Sequence, residues 1–412
     1  MTGLADHACT SLTPIVRTGW SDALGSIQAH LGNRPRDAEA WYSLGVSLNG
    51  EGRYQEAATA LFSALTLSPH NIGVQCVYAT SLMELGILPE AAFLLEDVIH
   101  RSPGEGWAYS QLASVRYRQG DWEQASQLWE CAARLLEDPR DCLENLALVM
   151  RRLEDSEGER RCWQSIAQID PDSPVAQHML AAVGLAPLPR RAREAYVVEV
   201  FDRFAPDFDR VLERLDYRVP DIVQHWMTNR FGPPCGALRI LDAGCGTGLC
   251  GERLRPFSSE LVGIDLSGGM LERAASRGAY HRLEQSELLA FLKEDGNSFD
   301  AIVAGDVLCY FGDLAEFSEH AVAALRPGGW IGLSVERADA DTAPDGYLLQ
   351  PHGRFAHTRS YLEQLFRYAF PLMVDEVVLR LEMSKPVQGY WISAGGAGLA
   401  SLPGLRAGPG AG

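Results

Sequence analysis

The residues best suited to chemistry lie in a short glycine-rich segment, Asp242-Ala-Gly244-Cys-Gly246-Thr-Gly248, and at Asp265. Glycines permit a tight turn and let a ligand approach the backbone closely. The segment follows the apolar run LRIL, and Asp265 closes the next apolar run, LVGI. A carboxylate at the end of that second run can accept hydrogen bonds from both hydroxyls of a ribose. Together these features predict a site for a cofactor that contains a ribose.

The segments around this loop alternate between short apolar runs and amphipathic stretches. LRILD, LVGID, FDAIVA and WIGLSV predict strands, and helices are predicted over 270–276, 287–292 and 316–325. Such alternation predicts a largely parallel sheet that is covered by helices on both faces. Ligands of these sheets bind beyond the carboxyl ends of the strands, which is where the glycine loop and Asp265 are expected.

The glycine spacing separates two classes of cofactor. A dinucleotide site requires GxGxxG, but here the glycines follow GxGxG and position 249 is Leu. That spacing, with Asp242 two residues before the first glycine, resembles class I S-adenosylmethionine-dependent methyltransferases. The resemblance covers about residues 195–394 and includes FDAIVAGD, LRPGGW and the late strand GYWISA. It implies a Rossmann-like fold with a seven-stranded mixed sheet and S-adenosylmethionine as cofactor.

The resemblance also implies which residues contact the cofactor. Asp242 and the glycine loop would hold the methionine part and the sugar, and Asp265 would bind the ribose hydroxyls. Glu287 or its neighbour Ser286 would meet the adenine amine, although Glu287 could equally be a surface acid. The cofactor-binding residues predicted in this way are Asp242, Gly244, Cys245, Gly246, Gly248, Asp265, Leu266, Met270, Ser286, Glu287, Asp306 and Val307.

Three residues are predicted as catalytic: Tyr310, His352 and His357. Methyl transfer from a sulfonium depends mainly on alignment of the acceptor, and a base is needed only if the acceptor must lose a proton. Either histidine could be that base, although His357 could instead cap a helix or fill the core, and Tyr310 could orient the acceptor. Residues 306–310 read DVLCY, which lacks the Asn/Asp-Pro-Pro-aromatic motif of enzymes that methylate exocyclic amines of bases.

The first half of the chain repeats with a period of 34 residues. Glycines recur at positions 52, 86 and 120, alanines at 57, 91 and 125, and large apolar residues at 44, 78, 112 and 146. The small residues let paired helices approach closely, and each pair buries its apolar face only by stacking on the next pair. This pattern resembles the tetratricopeptide repeat. The fourth unit is degenerate, because Glu159 occupies the position that is alanine in the first three units.

These patterns predict an all-α tetratricopeptide solenoid followed by a Rossmann-like methyltransferase domain. Apolar residues around FDRFAPDFD predict an amphipathic helix that Pro206 interrupts, placed where it could act as a lid. The predicted divisions are an N-terminal segment (1–19), the repeat region (20–184), a linker with the N-terminal helices or lid (185–236), the methyltransferase domain (237–394) and a flexible Gly/Ala-rich tail (395–412).

Composition narrows the possible partners and compartments. The chain has 36 Lys plus Arg against 54 Asp plus Glu, a formal charge of −18. A net negative charge of this size repels the phosphate backbones of nucleic acids, so nucleic acid is not expected as a partner. Nine cysteines without a CxxC pair predict neither a metal site nor a disulfide framework. No membrane span or secretory signal is recognisable, and a cytoplasmic location is therefore expected.

Three functions remain open at this point. The leading hypothesis is a methyltransferase that acts on a protein or peptide recruited by the repeats. The alternative is a methyltransferase for small molecules, natural products or metabolites, in which the repeats form a homodimer or cover the active site. A non-catalytic scaffold is the third hypothesis, and the intact glycine loop and Asp265 argue against it.

Overall fold

The computed structural model describes residues 37–294, 298–367, 371–382 and 384–395. The predicted N-terminal segment, residues 20–36 of the predicted repeat region and nearly all of the predicted tail lie outside the described residues. The described residues form two compact units, which divide between Pro171 and Asp172.

Helices that follow one another in the chain and pack pairwise build the first unit. The described helices are Ala38–Gly50, Tyr54–Leu67, Ile72–Glu84, Leu88–Arg101, Gly106–Gln119, Trp122–Leu135, Arg140–Arg152 and Ser156–Ile169. The recurring glycines 52, 86 and 120 have positive φ in the turns, which glycine adopts without strain. Gly45 is required for close packing, since a Cβ there would lie 2.4 Å from Leu61 Cγ.

The degenerate fourth repeat keeps the fold by a different arrangement. Glu159 replaces the small residue and is 4% exposed. Its carboxylate accepts a hydrogen bond of 2.8 Å from Arg151 Nε. A buried charge is tolerated when it is paired. The ion pair therefore explains how Glu159 is accommodated at a position where the other repeats have alanine. Glu154 takes the positive φ that glycine supplies in the other turns.

The second unit contains a nine-stranded mixed sheet. The strands are Leu238–Ala243 (β1), Ser258–Asp265 (β2), Arg282–Gln285 (β3), Phe299–Ala304 (β4), Leu325–Arg337 (β5), Tyr347–Leu349 (β6), Phe355–His357 (β7), Leu372–Glu382 (β8) and Lys385–Gly395 (β9). The order is β3-β2-β1-β4-β5, with β7 and β6 following β5, and β9 and β8 pairing beyond it. Strands β1 to β5 are parallel, whereas β9 runs antiparallel to β5.

Helices cover both faces of this sheet. They are Pro174–Ala182, Glu194–Phe204, Phe208–Arg214, Val219–Phe231, Leu249–Leu254, Gly268–Arg277, Leu288–Glu294, Ala315–Ala324 and Arg359–Leu365. Ile240 and Leu241, neighbours on β1, belong to separate buried clusters, as expected of a strand covered on both sides. The predicted fold class is confirmed, with two strands more than the seven expected because the short hairpin β6–β7 adds to the sheet.

No described helix is long and apolar enough to cross a membrane. Within the same described ranges, no group of three or more His, Cys, Asp or Glu side chains is arranged to hold a metal ion.

Candidate active site

A cavity of about 390 Å³ lies beyond the carboxyl ends of β1, β2 and β4. The glycine loop after β1, Asp265 at the end of β2 and Asp306 just after β4 line one side. The two helices Glu194–Phe204 and Phe208–Arg214, here called the lid, line the other side. The cavity therefore lies where parallel-sheet proteins bind ligands.

The glycine loop and Asp265 form one hydrogen-bonded structure. Gly246 N donates to Asp265 Oδ2 and Ser267 N donates to Oδ1, each at 2.9 Å. Gly244 has φ 74°, and a Cβ there would lie 2.4 Å from Val307 Cγ2, so only glycine fits. Burial raises the pKa of the Asp265 carboxyl. Each oxygen retains a lone pair, so the carboxylate can still accept hydrogen bonds from a ribose.

Asp242 is 1% exposed and faces the same cavity. Tyr280 Oη donates a hydrogen bond of 2.6 Å to its Oδ2. Burial, reinforced by the charge of Asp265, raises the pKa of Asp242 to about 7, although the Tyr280 hydrogen bond opposes the shift. A cationic ligand beside it would favour the ionised form.

Asp306 adopts a backbone conformation that is rare outside glycine, with φ 56°. Its N donates to Ser334 Oγ at 2.8 Å, and Arg380 Nη1 lies 3.2 Å from its Oδ2. Strain of this kind persists only where neighbours hold the residue in place. Both contacts fix the Asp306 carboxylate at the cavity wall.

Most predicted cofactor residues are brought together by the fold. All of them line the cavity except Gly248, which begins the helix Leu249–Leu254 with φ 91°. Glu287 also has structural contacts: its Oε1 lies 2.9 Å from Arg191 Nη1, and its Oε2 accepts from Ala290 N at 2.9 Å. Glu287 therefore lines the cavity and also caps the following helix.

The predicted catalytic residues separate into two groups. Tyr310 and His352 line the cavity, whereas His357 does not. His357 is fully buried, and its Nε2 lies 2.9 Å from the carbonyl oxygen of Gly312. Burial lowers the pKa of His357 to about 4. His357 is thus placed to support the loop at Gly312 and not to reach an acceptor, which corrects the expectation of a base at this position.

The lid contributes a largely apolar wall. The lid residues on the cavity are Glu194, Tyr196, Val197, Val200, Phe201, Phe204, Phe208, Val211 and Leu212. Pro206 falls between the two helices, as the sequence predicts. Phe201 also packs edge-on against Tyr310, with ring centroids 5.4 Å apart. An apolar wall excludes water from the space it covers.

Two aspartates tie the lid to the cofactor loops. Ser267 Oγ donates to Asp202 Oδ1 at 2.5 Å, and Thr247 Oγ1 donates to Asp209 Oδ1 at 2.5 Å. Arg277 Nη2 lies 2.5 Å from Asp209 Oδ2. The sequence alone did not predict a role for Asp202 or Asp209. The signal was the FDRFAPDFD segment itself, where acids interrupt an otherwise apolar face.

A buried charged group, here called the Glu336 cluster, lies beside Asp306. Glu336 is 1% exposed and is surrounded by Arg380, by Arg354 Nε at 2.9 Å and by His352 Nε2 at 3.5 Å. Glu382 pairs with both arginines. Although its own burial acts in the opposite direction, the two arginines lower the pKa of Glu382 to about 2.

The helix Pro174–Ala182 holds the loop that carries His352 and Arg354. His178 Nε2 lies 2.8 Å from the carbonyl oxygen of Gly353, and its ring stacks on Tyr196 at 3.9 Å. Gly353 has φ 86°, and a Cβ there would lie 2.9 Å from the sulfur of Met179. This close packing fixes the loop against the helix.

Family comparisons agree with this geometry. Residues 241–331 match a family of methyltransferase domains, which covers β1 to the middle of β5. Residues 23–141 match the TPR domain of cytochrome c-type biogenesis protein H. The chain joins a tetratricopeptide-repeat region to a methyltransferase domain. The domain is of the S-adenosylmethionine-dependent class, which confirms the cofactor expected from the glycine loop.

Individual relatives of this repeat methyltransferase cover only part of it. Methyltransferase-like protein 27 of Homo sapiens is 38% identical over 144 residues, which are 34% of this chain and 58% of the relative. Ubiquinone biosynthesis O-methyltransferase of a Chelativorans species is 33% identical over 129 residues, 30% of this chain and 50% of the relative. The chain thus spans about half the length of these curated relatives.

Two solved structures are similar to separate parts of the repeat methyltransferase. A possible histamine N-methyltransferase from Thermotoga maritima has 16% identity and a TM-score of 0.36, over 48% of this chain and 99% of that one. A thermophilic TPR protein from Thermus thermophilus has 19% identity and a TM-score of 0.34, over 39% of this chain and 88% of that one.

Proposed function

We propose that this chain transfers a methyl group from S-adenosylmethionine to a small, largely apolar acceptor bound beneath the lid. One observation carries the proposal: the glycine loop, Asp242, Asp265 and Asp306 share a single cavity with the aromatic wall of the lid. The acids suit a cationic cofactor that carries a ribose, and the apolar wall suits an acceptor that must be kept from water.

The residues of the site divide into roles under this proposal. S-adenosylmethionine supplies an electrophilic methyl group on a positively charged sulfur. Asp265 binds the ribose hydroxyls, and Asp242 and Asp306 hold the methionine end. His352, whose Nε2 faces Glu336, takes a proton from an acceptor that must lose one, and Tyr310 orients the acceptor. An oxygen acceptor agrees with the names of the ubiquinone biosynthesis O-methyltransferase relatives.

A second candidate is a protein or peptide acceptor recruited by the repeats. It is supported by the repeat family match and by exposed apolar side chains on the first unit, among them Trp107 at 62% and Phe93 at 49%. Under the small-molecule proposal, the same surface would instead form a homodimer of the repeats. We also propose a cytoplasmic location, in keeping with the described cysteines, none of which forms a disulfide.

Titration calorimetry with S-adenosylmethionine tests the cofactor site. Asp265→Ala should lose at least about 100-fold in affinity, because both ribose hydrogen bonds and the anchor of the glycine loop disappear. The matched control is Asp375→Ala, an exposed acid on β8. Circular dichroism checks that the repeats stay folded. Unchanged affinity in Asp265→Ala would overturn the assignment.

The acceptor class is tested with a labelled methyl group. The full chain and labelled S-adenosylmethionine are incubated with a cell extract, which is then separated by size. Label in the small-molecule fraction supports the leading proposal, whereas label on protein supports the recruited substrate. Asp265→Ala, run in parallel, shows which labelled product depends on the site.

A further inference from the structure

The cavity is lined by both acidic and basic side chains. Asp242, Asp265 and Asp306 lie at the cofactor end, around the glycine loop. Next to Asp306, which pairs with Arg380, the wall is lined by His352, Arg354 and Arg380, all gathered around Glu336. Basic side chains beside the acids of the cofactor site could bind a second ligand that carries a negative charge.

Of the carboxylates that pair with these arginines, Asp306 lines the cavity and two others do not. Glu336 and Glu382 do not belong to the residues that line the cavity. Glu336 is almost fully buried and also accepts from Gln350 Nε2 at 3.0 Å, so it is fixed in place. The cavity is therefore lined by the two arginines of this cluster, whereas Glu336 and Glu382 do not line it.

Arg354 differs from Arg380 in how many of its donors are used. Arg380 directs Nε to Glu382, Nη1 to Asp306 and Nη2 to Glu336. Arg354 directs Nη2 to Glu382 and Nε towards Glu336. Among the contacts of the described residues, Arg354 Nη1 makes no hydrogen bond, and the side chain is 25% exposed. A guanidinium with a spare donor is suited to binding a carboxylate.

We propose that the acceptor is an acid whose carboxylate binds Arg354, with its apolar body against the lid. This inference rests on the proposed methyl transfer and names the substrate class of that site. The wall formed by Phe201 and Tyr310 accepts an aromatic or aliphatic body. The carboxylate would also be attracted by the positive sulfur of the cofactor. Arg354 then selects acids over neutral analogues of the same shape.

The test uses acids and their amides on the full chain. Benzoate, phenylacetate and 3-phenylpropionate, each paired with its amide, are titrated in the presence of saturating S-adenosylhomocysteine. At least one acid should bind about tenfold or more tightly than its amide, since hydrogen bonds to a charged group are the stronger ones. Arg354→Gln should remove that preference and leave the affinity for S-adenosylhomocysteine unchanged.

The control variant is Arg337→Gln, an arginine on the same sheet whose partners Asp339 and Glu376 are exposed. It should keep the preference for acids. Retained S-adenosylhomocysteine binding also shows that Arg354→Gln is folded. Equal affinity for acid and amide, a preference that survives in Arg354→Gln, or no binding of any acid up to millimolar concentration overturns the inference alone. Failure of the unaltered chain to bind S-adenosylhomocysteine overturns the proposed function as well.

Discussion

Cofactor binding should depend on pH through Asp242. Its pKa is about 7 in the unliganded protein, because burial and the charge of Asp265 favour the neutral form. A cationic ligand requires the ionised form, so binding below that pH must release a proton. If the carboxyl is fully ionised in the complex, the dissociation constant rises about 25-fold from pH 7.5 to pH 5.5.

Calorimetry in buffers of different ionisation enthalpy measures both the affinity and the protons released. Tyr280→Phe removes the hydrogen bond that lowers the pKa of Asp242, so the loss of affinity should begin at a higher pH. Tyr54→Phe, in the repeat region, is the matched control and should leave the profile unchanged. An affinity independent of pH, with no proton released, would refute the reasoning.

The burial of Asp242 also affects the free energy of unfolding of the protein when no cofactor is bound. The unfolded Asp242 carboxyl ionises near its ordinary value of 3.8, whereas the folded one keeps its proton to about 7. The folded state therefore binds more protons between these values, and the free energy of unfolding falls as the pH rises through that window. Cofactor binding should reduce this dependence.

Two further variants probe the lid and the Glu336 cluster. Asp209→Asn should increase the dissociation rate of S-adenosylhomocysteine by about tenfold in stopped-flow measurements, because the ion pair that holds the lid is lost. Asp207→Asn is its control, because Asp207 lies between the two lid helices and its ion pair among the described residues is with Arg210. Equal rates in the two variants would contradict the role of Asp209. Arg380→Met should lower the free energy of unfolding by about 3–5 kcal/mol in urea titrations, since Asp306 loses this ion pair and Glu336 and Glu382 each lose one of their two arginine partners. The surface variant Arg337→Met should cost far less, and a similar loss in both would contradict this account.

Features set by local sequence were predicted well. The residues that recur every 34 positions predicted the helix pairs. This was possible because each turn glycine and each small packing residue makes its contacts within one repeat or with the adjacent repeat. The glycine loop and Asp265 were recognisable since strand, turn and helix follow each other directly. FDRFAPDFD predicted a helix broken at Pro206, and the structure has two helices there.

Features that depend on distant residues were not predictable. Tyr280 meets Asp242 across 38 positions, and Arg380 meets Asp306 across 74. No pattern within a window of the sequence links such partners, because the sheet order decides which strand ends meet. His357 illustrates the converse. The sequence left open whether His357 is a base or a core histidine, and β7 places it inside the core.

The packing of His178 on Gly353 affects how this protein could be divided or recombined. The boundary predicted after residue 184 assigns the helix Pro174–Ala182 to the repeats, yet a cut there would separate the loop of His352 and Arg354 from the helix that packs against it. The sequence places the helix Pro174–Ala182 at the end of the repeat region, but the helix packs against a loop of the methyltransferase domain. A chimera that joins the methyltransferase domain to another protein should therefore begin at Asp172. It then keeps the helix Pro174–Ala182 together with the loop that this helix supports.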